Sequence, residues 1–226
     1  MIVQISNLSK KIPDGSFQRT LLDDINLTIQ ENEIVALVGT SGAGKTALLR
    51  SLSCLEVVHT GEYLFNGSIQ IVNLPESGLA NMRRLYMGFI GFEPEFIEHM
   101  SVKECLDMPL SALSISYNER KNRVIDILEV IGLVSKLNTS VSSLQYYERI
   151  YIAAARAFIK KPLLVVADNP CKQLHSSEAH AFLELLTTLS REYGGALVYS
   201  TYDPAHLKKA NKIIYMKDGK IIKATS

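Results

Sequence analysis

Hydrophobic and polar residues alternate along two stretches near the start of the chain, Ile2 to Leu8 and Leu22 to Ile29. A period of two is typical of half-buried strands. The intervening segment, Lys10 to Arg19, contains a proline and a glycine, which predicts a turn. Thr60 to Ser68 is predicted to form a further strand closed by an Asn-Gly pair. The beginning of the chain is therefore predicted to consist mostly of antiparallel strands.

The middle of the chain changes to a helical pattern. Ser101 and Glu104 are spaced as a capping box, which predicts that a short helix begins there. Apolar residues recur at helical spacing from Asn118 to Ile131, and a third helix is predicted from Leu144 to Ile159. Three consecutive helices in an otherwise mixed chain predict an inserted helical subdomain.

The last third returns to alternating strands and helices. Leu163 to Asp168 is an apolar run that ends in a carboxylate, and a helix is predicted from Ser176 to Tyr193. A strand follows from Ala196 to Ser200. The segment from Ile213 to Ile222 contains an Asp-Gly pair between two apolar runs, which predicts a hairpin. The whole pattern indicates an α/β fold.

Composition narrows the class of protein. With a formal net charge of +1 and 47% hydrophobic residues, a packed core is expected and a general attraction to nucleic acid or anionic lipid is not. The sequence has no apolar run of the roughly 18 residues that a membrane-spanning helix needs. A length of 226 residues predicts one large domain or one domain with a subdomain. Three scattered cysteines and an N-terminus without a signal-peptide core lead us to expect a reducing, cytoplasmic compartment.

The strongest chemical signal follows the apolar run Ile34 to Val38, which has the pattern of a strand buried on both faces. The next residues, GTSGAGKT, fit the phosphate-loop pattern G-x-x-x-x-G-K-[ST] and lead into a predicted helix. Glycines let successive backbone N–H groups point at an anion, and the helix N-terminus adds partial positive charge. The predicted nucleotide-binding residues are Gly39, Thr40, Ser41, Gly42, Ala43, Gly44, Lys45, Thr46 and Ala47.

These residues predict ATP and Mg²⁺ as ligands. Lys45 is expected to reach the β- and γ-phosphates, and the Thr46 hydroxyl to hold Mg²⁺. A strand that ends in aspartate usually supplies the second metal partner, which makes Asp168 the candidate. Two alternatives stay open: the loop is a Gly/Ser turn that binds nothing, or Asp168 serves as a helix or turn cap.

The phosphate loop, the order of the elements, the segment LLVVADNP before a helix and the KDGKI ending resemble the ATP-binding cassette family, the nucleotide-binding subunits of ABC transporters. The resemblance covers essentially the whole chain and is greatest to the branch that serves lipoprotein release, macrolide export and the cell-division complex. It implies a P-loop NTPase core of the ABC cassette type, with an antiparallel β subdomain and an inserted helical subdomain. One ATP-binding domain would span residues 1–226, with 1–92 and 160–226 as core and β subdomain and 93–159 as helical subdomain.

Several positions that carry chemistry in that family hold different residues in this chain. By the resemblance, the family's loop glutamine falls on Phe92, with Glu93 as a substitute if the register slips by one. The catalytic glutamate falls on Asn169 and the switch histidine on Tyr202. The remaining departures are Tyr146 and Tyr147 at the signature glycines within Leu144 to Glu148, His175 in the dimer-contact loop, and Ile12 at the adenine-stacking aromatic.

These departures lead us to expect weak or absent hydrolysis. Asn169 has the shape of a carboxylate but cannot take a proton, and loss of a general base typically costs about 10²–10⁴ in rate. Tyr202 does not replace a histidine in proton or charge relay near neutral pH. The tyrosines at the signature would keep the helix backbone away from a partner's phosphate, unless that segment is misaligned helix surface.

The expected function is therefore the ATP-binding subunit of an ABC-type membrane transport complex, located on the inner face of the cell membrane. The alternative is a non-catalytic nucleotide sensor or scaffold, and a third reading is a cassette protein that works on ribosomes or DNA. The expected partners are a membrane permease subunit and a second cassette, as homodimer or heterodimer, without nucleic acid. The resemblance implies that the segment around Phe92, Phe96, Ile97 and Met100 receives the permease.

Overall fold

The computed structural model describes residues 1–15 and 17–225. Within those ranges the chain passes through ten strands and six helices in an α/β arrangement, with short 3-10 turns at Val134–Lys136, Val141–Ser143 and Pro204–Lys209. In chain order the elements are β1 (Val3–Asp14), β2 (Phe17–Ile29), β3 (Ile34–Val38), α1 (Lys45–Leu52), β4 (Thr60–Phe65), β5 (Ile69–Gln70), α2 (Glu76–Tyr86), β6 (Met87–Ile90), α3 (Val102–Ser111), α4 (Tyr117–Val130), α5 (Tyr146–Phe158), β7 (Leu164–Ala167), α6 (Ser176–Tyr193), β8 (Ala196–Thr201), β9 (Lys212–Lys217) and β10 (Lys220–Thr225).

One sheet is antiparallel and has the order β2-β1-β4-β5. The prediction of a turn from Lys10 to Arg19 is wrong, because β1 and β2 continue as a ladder up to the pair Asp14 and Phe17. The proline at position 13 is tolerated for a physical reason. The pairing of β1 with β4 reaches only to Ser9, so the N–H that Pro13 lacks removes no ladder bond on that side.

The other sheet has the order β10-β9-β3-β8-β7-β6. Its strands β3, β6, β7, β8 and β9 are parallel, and β10 pairs antiparallel with β9 through the predicted Asp-Gly turn. The carboxyl ends of β3, β7 and β8 therefore meet at one edge of the sheet. That edge is where ligands bind in open α/β sheets. The phosphate loop, Asp168 and Tyr202 follow directly after these three strands.

Two hydrophobic clusters cover the two faces of this sheet. Alternate residues of β3 divide between them: Ile34 and Ala36 face the cluster that contains α3 to α6, while Val35 and Leu37 face the cluster that contains α1 and the antiparallel sheet. The strand is thus buried on both faces, as its continuous apolar run predicts. No helix in the described part of the chain is long and apolar enough to cross a membrane.

The predicted helices of the middle region are confirmed as α3, α4 and α5. The capping box at the start of α3 is present, because Glu104 accepts the Ser101 N–H at 2.8 Å and Ser101 Oγ accepts the Glu104 N–H at 3.3 Å. Helix α6 has the predicted bounds, and His175 occupies its N-cap position. Helix α2 and strand β6 were not predicted from the sequence.

Candidate nucleotide site

The backbone of the segment Gly39 to Thr46 is shaped by close approaches that only glycine permits. Gly44 has φ +97°, and a Cβ there would lie 2.8 Å from the Leu21 carbonyl oxygen. A Cβ on Gly39 would clash with the carbonyl oxygen of Met216 on β9. Gly44 occupies the N-cap position of α1 and leaves no side chain over the first N–H groups of the eight-residue helix. The N–H groups at this helix end are consequently open to an anion.

Lys45 is the first residue of α1, and only 5% of it is exposed. Its Nζ donates to the carbonyl oxygens of Gly39 at 2.7 Å and Thr40 at 2.9 Å. The same Nζ lies 4.1 Å from the centroid of the Tyr202 ring. Burial lowers the pKa of the Lys45 ammonium, and the nearby Asp168 carboxylate opposes part of that shift. The charge is thus held inside the loop by its own carbonyls and by an aromatic face.

A chain of hydrogen bonds joins the loop to the ends of β7 and β8. Thr46 Oγ1 donates to Asp168 Oδ2 at 2.8 Å, and Ser200 Oγ donates to Asp168 Oδ1 at 2.7 Å. Ser200 Oγ in turn accepts the Asn169 N–H at 2.8 Å. Both carboxylate oxygens of Asp168 therefore accept a hydrogen bond, one from the first turn of α1 and one from β8. Ser200 is a positioning residue that the sequence patterns did not single out.

The oxygen donors at this point suit Mg²⁺. Mg²⁺ is typically bound through one or two carboxylates together with substrate phosphates and water, and not by an all-protein cage. Thr46 supplies a hydroxyl and Asp168 a carboxylate within hydrogen-bond distance of each other. Across residues 1–15 and 17–225 no group of three or more His, Cys, Asp or Glu side chains could form a dedicated metal cage. The two residues thus fit a magnesium ion that arrives with phosphate.

Asn169 and Tyr202 both reach the same end of the site. Asn169 follows β7 with φ +47°, a left-handed conformation that Asn tolerates better than most residues. Tyr202 follows β8, is 53% exposed and borders two cavities. One of these, about 270 Å³, contains the loop, and the other, about 250 Å³, is lined by Asn169. Tyr202 stands between the loop and the residue at the position of the expected general base.

Helix α5 begins at Tyr146, and its N-terminus already holds a carboxylate. Glu148 Oε2 accepts the Gln145 N–H at 2.9 Å, and Glu148 Oε1 lies 3.0 Å from Lys136 Nζ. Burial alone would raise the pKa of the Glu148 carboxyl, but the Gln145 N–H and the Lys136 ammonium outweigh it and hold the pKa below its usual range. The N-terminus of this helix thus holds its own capping carboxylate, whose charge is paired with that of Lys136.

The two tyrosines of α5 differ in their surroundings. Tyr146 is half-buried and packs against the core, whereas Tyr147 is 43% exposed and stands edge-on to Tyr151. The prediction that both tyrosines keep the helix backbone away from a partner's phosphate stays a prediction, and only Tyr147 presents a largely exposed side chain. Tyr147 alone covers the surface at the beginning of the helix.

The residues at the expected loop-glutamine position are tied to the segment after β7. The Lys172 Nζ lies 4.7 Å from the centroid of the Phe92 ring, and Gln173 Nε2 donates to Glu93 Oε1 at 3.1 Å. Glu93 is exposed. The resemblance gives Glu93 as a substitute for the missing glutamine if the register slips by one. In the structure its carboxylate accepts a hydrogen bond from Gln173 and not from the phosphate loop.

The segment from Phe92 to Met100 presents fewer apolar side chains than its sequence indicates. Phe92 and Ile97 are 44% and 46% exposed, but Phe96 and Met100 pack against the core. The Phe96 ring is covered by guanidinium groups, with that of Arg156 at 4.7 Å. The exposed apolar surface is consequently limited to Phe92 and Ile97.

The outer wall of the loop cavity contains charged residues that sequence reasoning missed. Arg19 and Leu21 of β2 line it on one side and Arg50 and Glu56 on another. Ile12, the residue at the adenine-stacking position of the resemblance, does not line this cavity and pairs with Arg19 across the hairpin. Side chains alternate along β2, so Arg19 and Leu21 lie on the same face. A strand prediction that included Arg19 would have placed its side chain beside that of Leu21.

The sequence profile of the ABC transporter family matches residues 22–172, which contain the loop, the end of β7 and the helices between them. The chain belongs to the ABC transporter family. It is 31% identical over 221 residues to the lipoprotein-releasing system ATP-binding protein LolD of Pseudoalteromonas translucida (strain TAC 125), covering 98% of this chain and 95% of that protein. It is 32% identical over 222 residues to the macrolide export ATP-binding/permease protein MacB 2 of Yersinia pestis. The chain spans 32% of the length of that MacB protein.

Solved structures agree with the family. The dimeric structure of a post-hydrolysis state of the ATP-binding cassette MJ0796 bound to ADP and Pi superposes with a TM-score of 0.89 and 28% identity, covering all of this chain and 98% of that one. CbiO1 from Clostridium perfringens, part of the ABC transporter complex cbiONQ, shares the fold with a TM-score of 0.87 and 20% identity, over 99% of this chain and 87% of its own. The predicted ABC cassette fold is thereby confirmed.

Proposed function

We propose that this chain is the ATP-binding subunit of a membrane transport complex and that it binds Mg-ATP through Gly39 to Ala47 and Asp168. The observation that carries the proposal is the convergence of Lys45, Thr46 and Asp168 at the carboxyl edge of the parallel sheet. Backbone N–H groups of the loop and the α1 N-terminus are the donors for the phosphates. Mg²⁺, when bound with the nucleotide, would neutralise charge on the β- and γ-phosphate oxygens.

We propose further that hydrolysis is weak or absent. The side chain at position 169 is an amide without basicity, and the N–H of Asn169 is committed to Ser200 Oγ. Tyr202 covers Lys45 with its ring and offers no imidazole. Both replacements remove proton-transfer capacity at the end of the site where water would attack. A non-catalytic nucleotide sensor or scaffold has the same fold and the same loop, and steady-state turnover separates the two functions.

The proposal of a membrane partner is supported by the family and by the exposed pair Phe92 and Ile97. Apolar anchors in an otherwise polar surface are the residues on which interfaces depend. The chain has no described helix that could cross a membrane itself, so a position on the inner face of the cell membrane would come from this contact. A copy of the chain or another cassette would complete the nucleotide site from the other side.

Titration calorimetry tests the nucleotide proposal. We expect Mg-ATP to bind to the native chain and binding to be lost in Lys45→Ala, because that substitution removes the only side-chain ammonium inside the loop. Lys223→Ala on the exposed strand β10 is the matched control and should bind as the native chain does. Absence of binding at millimolar ATP, or binding that Lys45→Ala leaves unchanged, would refute the proposal.

The partner proposal is tested by capture from detergent-solubilised membranes of the source cells. Phe92→Glu combined with Ile97→Asp should reduce capture of an integral membrane protein, whereas Tyr117→Glu, an exposed aromatic on α4, should not. Equal capture by all three chains would remove the Phe92 and Ile97 surface from the proposal.

A further inference from the structure

The ring of Tyr202 lies over Lys45 on a well-anchored backbone. The hydroxyl of Thr201 accepts the Asp203 N–H at 3.1 Å, and Asp203 Oδ1 accepts the Ala205 N–H at 2.8 Å. These bonds fix the chain on both sides of Tyr202. The side chain itself is 53% exposed, so it can leave Lys45 without disturbing a packed core.

The Lys45 ammonium is surrounded by two carbonyl oxygens and an aromatic ring in this arrangement. An ammonium has three N–H donors, and two of them are directed to the carbonyl oxygens of Gly39 and Thr40. The ring centroid of Tyr202, 4.1 Å from Nζ, supplies the negative face of an aromatic quadrupole to the remaining side. A phosphate oxygen can therefore contact Lys45 only after it displaces a carbonyl or the ring.

The phosphates of a nucleotide depend on Lys45 to different degrees. In a phosphate loop the backbone N–H groups hold the α- and β-phosphates, whereas the lysine reaches the β- and γ-phosphates. While the ring stays on Lys45, a diphosphate keeps its backbone contacts and gives up one lysine contact, that of its β-phosphate. The terminal phosphate of a triphosphate relies on the lysine and competes with the ring.

We propose that Tyr202 is a specificity-determining residue that competes with the terminal phosphate for Lys45 and shifts the site toward nucleoside diphosphates. This inference rests on the proposed nucleotide site. We call the competition of the Tyr202 ring with the terminal phosphate for Lys45 the gate. A cation–π contact of this kind is expected to weaken triphosphate binding by roughly 2- to 30-fold relative to a site without the ring. The hydroxyl of Tyr202 takes no part in the competition, because the contact is made by the ring face.

Affinities for ATP and ADP, measured by calorimetry on two variants, test this gate. Tyr202→Leu removes the ring and should tighten ATP roughly 2- to 30-fold while changing ADP less. Tyr202→Phe keeps the ring and should keep the native ratio of ATP to ADP affinity. Tyr117→Leu is the matched control, since Tyr117 is 60% exposed and faces Arg120 on α4; it should match the native chain.

The opposite results would overturn the inference. Weaker or unchanged ATP binding by Tyr202→Leu would show that Tyr202 is a phosphate ligand or a bystander. A loss of affinity in Tyr202→Phe would show that the hydroxyl carries the contact. If Lys45→Ala still abolishes ATP binding, either result refutes the role of Tyr202 and leaves the proposed nucleotide site standing. Lack of ATP binding by the native chain and by all Tyr202 variants would instead refute the proposed nucleotide site.

Movement of the ring can be followed directly, because the chain contains no tryptophan. Tyr202→Trp introduces a single indole, the ring with the strongest cation–π interaction. Its fluorescence should change on addition of ATP and change less on addition of ADP. Equal changes with both nucleotides, or none with ATP at saturation, would contradict displacement by the terminal phosphate.

Discussion

The hydroxyl of Thr46 donates a hydrogen bond of 2.8 Å to Asp168 Oδ2, across 122 positions of the sequence. This contact joins the first turn of α1 to the end of β7, two elements that are brought together only by the parallel pairing in the sheet. The contact places the carboxylate at the end of β7 and the hydroxyl at the start of α1 next to each other, so both oxygens are available to one metal ion.

Asp168→Asn is expected to remove most of the magnesium dependence of ATP binding. The amide can still accept from Thr46 but lacks the charge that favours a divalent cation. Mutation of a residue that holds a metal through another ligand typically changes the metal affinity by roughly 10- to 100-fold. Calorimetry with Mg²⁺ and with chelator measures the effect, and Asp126→Asn, an exposed carboxylate on α4, is the control. Full magnesium dependence in Asp168→Asn would exclude the assigned role.

Asn169→Glu is expected to destabilise the chain by about 1 kcal/mol, because φ is +47° and a left-handed conformation is costly for residues other than Gly, Asn and Asp. The free energy of unfolding in urea measures this cost. Asn169→Gly, which relieves the constraint, should be at least as stable as Asn169→Glu. We also expect that Asn169→Glu alone does not restore turnover. A large gain in phosphate release from this single change would show that the other replacements are harmless.

ATP is not expected to drive a tight closed dimer of this chain. The N-terminus of α5 carries the exposed Tyr147, and the N-cap N–H of Gln145 is already bound by the buried Glu148 carboxylate, which pairs with Lys136. Tyr146→Gly with Tyr147→Gly and Asn169→Glu should restore turnover more than either change alone. Light scattering with and without Mg-ATP measures whether the chain is a monomer or a dimer. A clean monomer-to-dimer shift of the native chain on ATP would contradict this prediction.

Sequence patterns located most elements because those elements have local signals. Helix α6 and the capping box of α3 follow from periodicity and cap residues alone. The sequence patterns did not predict helix α2, because it buries only Leu79 and Met82. Two buried residues are too few for a clear amphipathic pattern. The loop residues were found by their spacing. The contact of Tyr202 with Lys45 depends on tertiary pairing, for which a single sequence has no local signal. The position of Arg19 at the cavity follows from strand β2, which the predicted turn from Lys10 to Arg19 does not include.

Lys160 makes a testable contribution to the pH dependence of stability. Its Nζ donates to the carbonyl oxygens of Arg83 and Arg84 at the end of α2. Burial, followed by the charge of Arg84, lowers its pKa from 10.5 to about 8. The folded chain therefore binds fewer protons than the unfolded chain between pH 8 and 10.5, and the contribution of Lys160 to stability rises with pH across that window.

Urea unfolding of the native chain and of Lys160→Met at pH 7, 8, 9 and 10 isolates this contribution. The difference between the two curves removes groups that titrate in both chains, such as the Cys54 thiol, whose pKa burial raises to about 12. We expect the stability of the native chain relative to Lys160→Met to increase with pH. A difference that is flat over this range would mean that Lys160 keeps an ordinary pKa in the folded chain.

Turnover measured beside affinity tests the central claim most directly. On one preparation, calorimetry should give Mg-ATP binding that Lys45→Ala abolishes, while steady-state phosphate release stays below about 0.1 s⁻¹, under the usual range of enzymes and in line with a missing general base. This combination is the signature of a cassette that binds ATP and hydrolyses it poorly. Phosphate release of about 1 s⁻¹ or faster, lost in Lys45→Ala, would contradict the account.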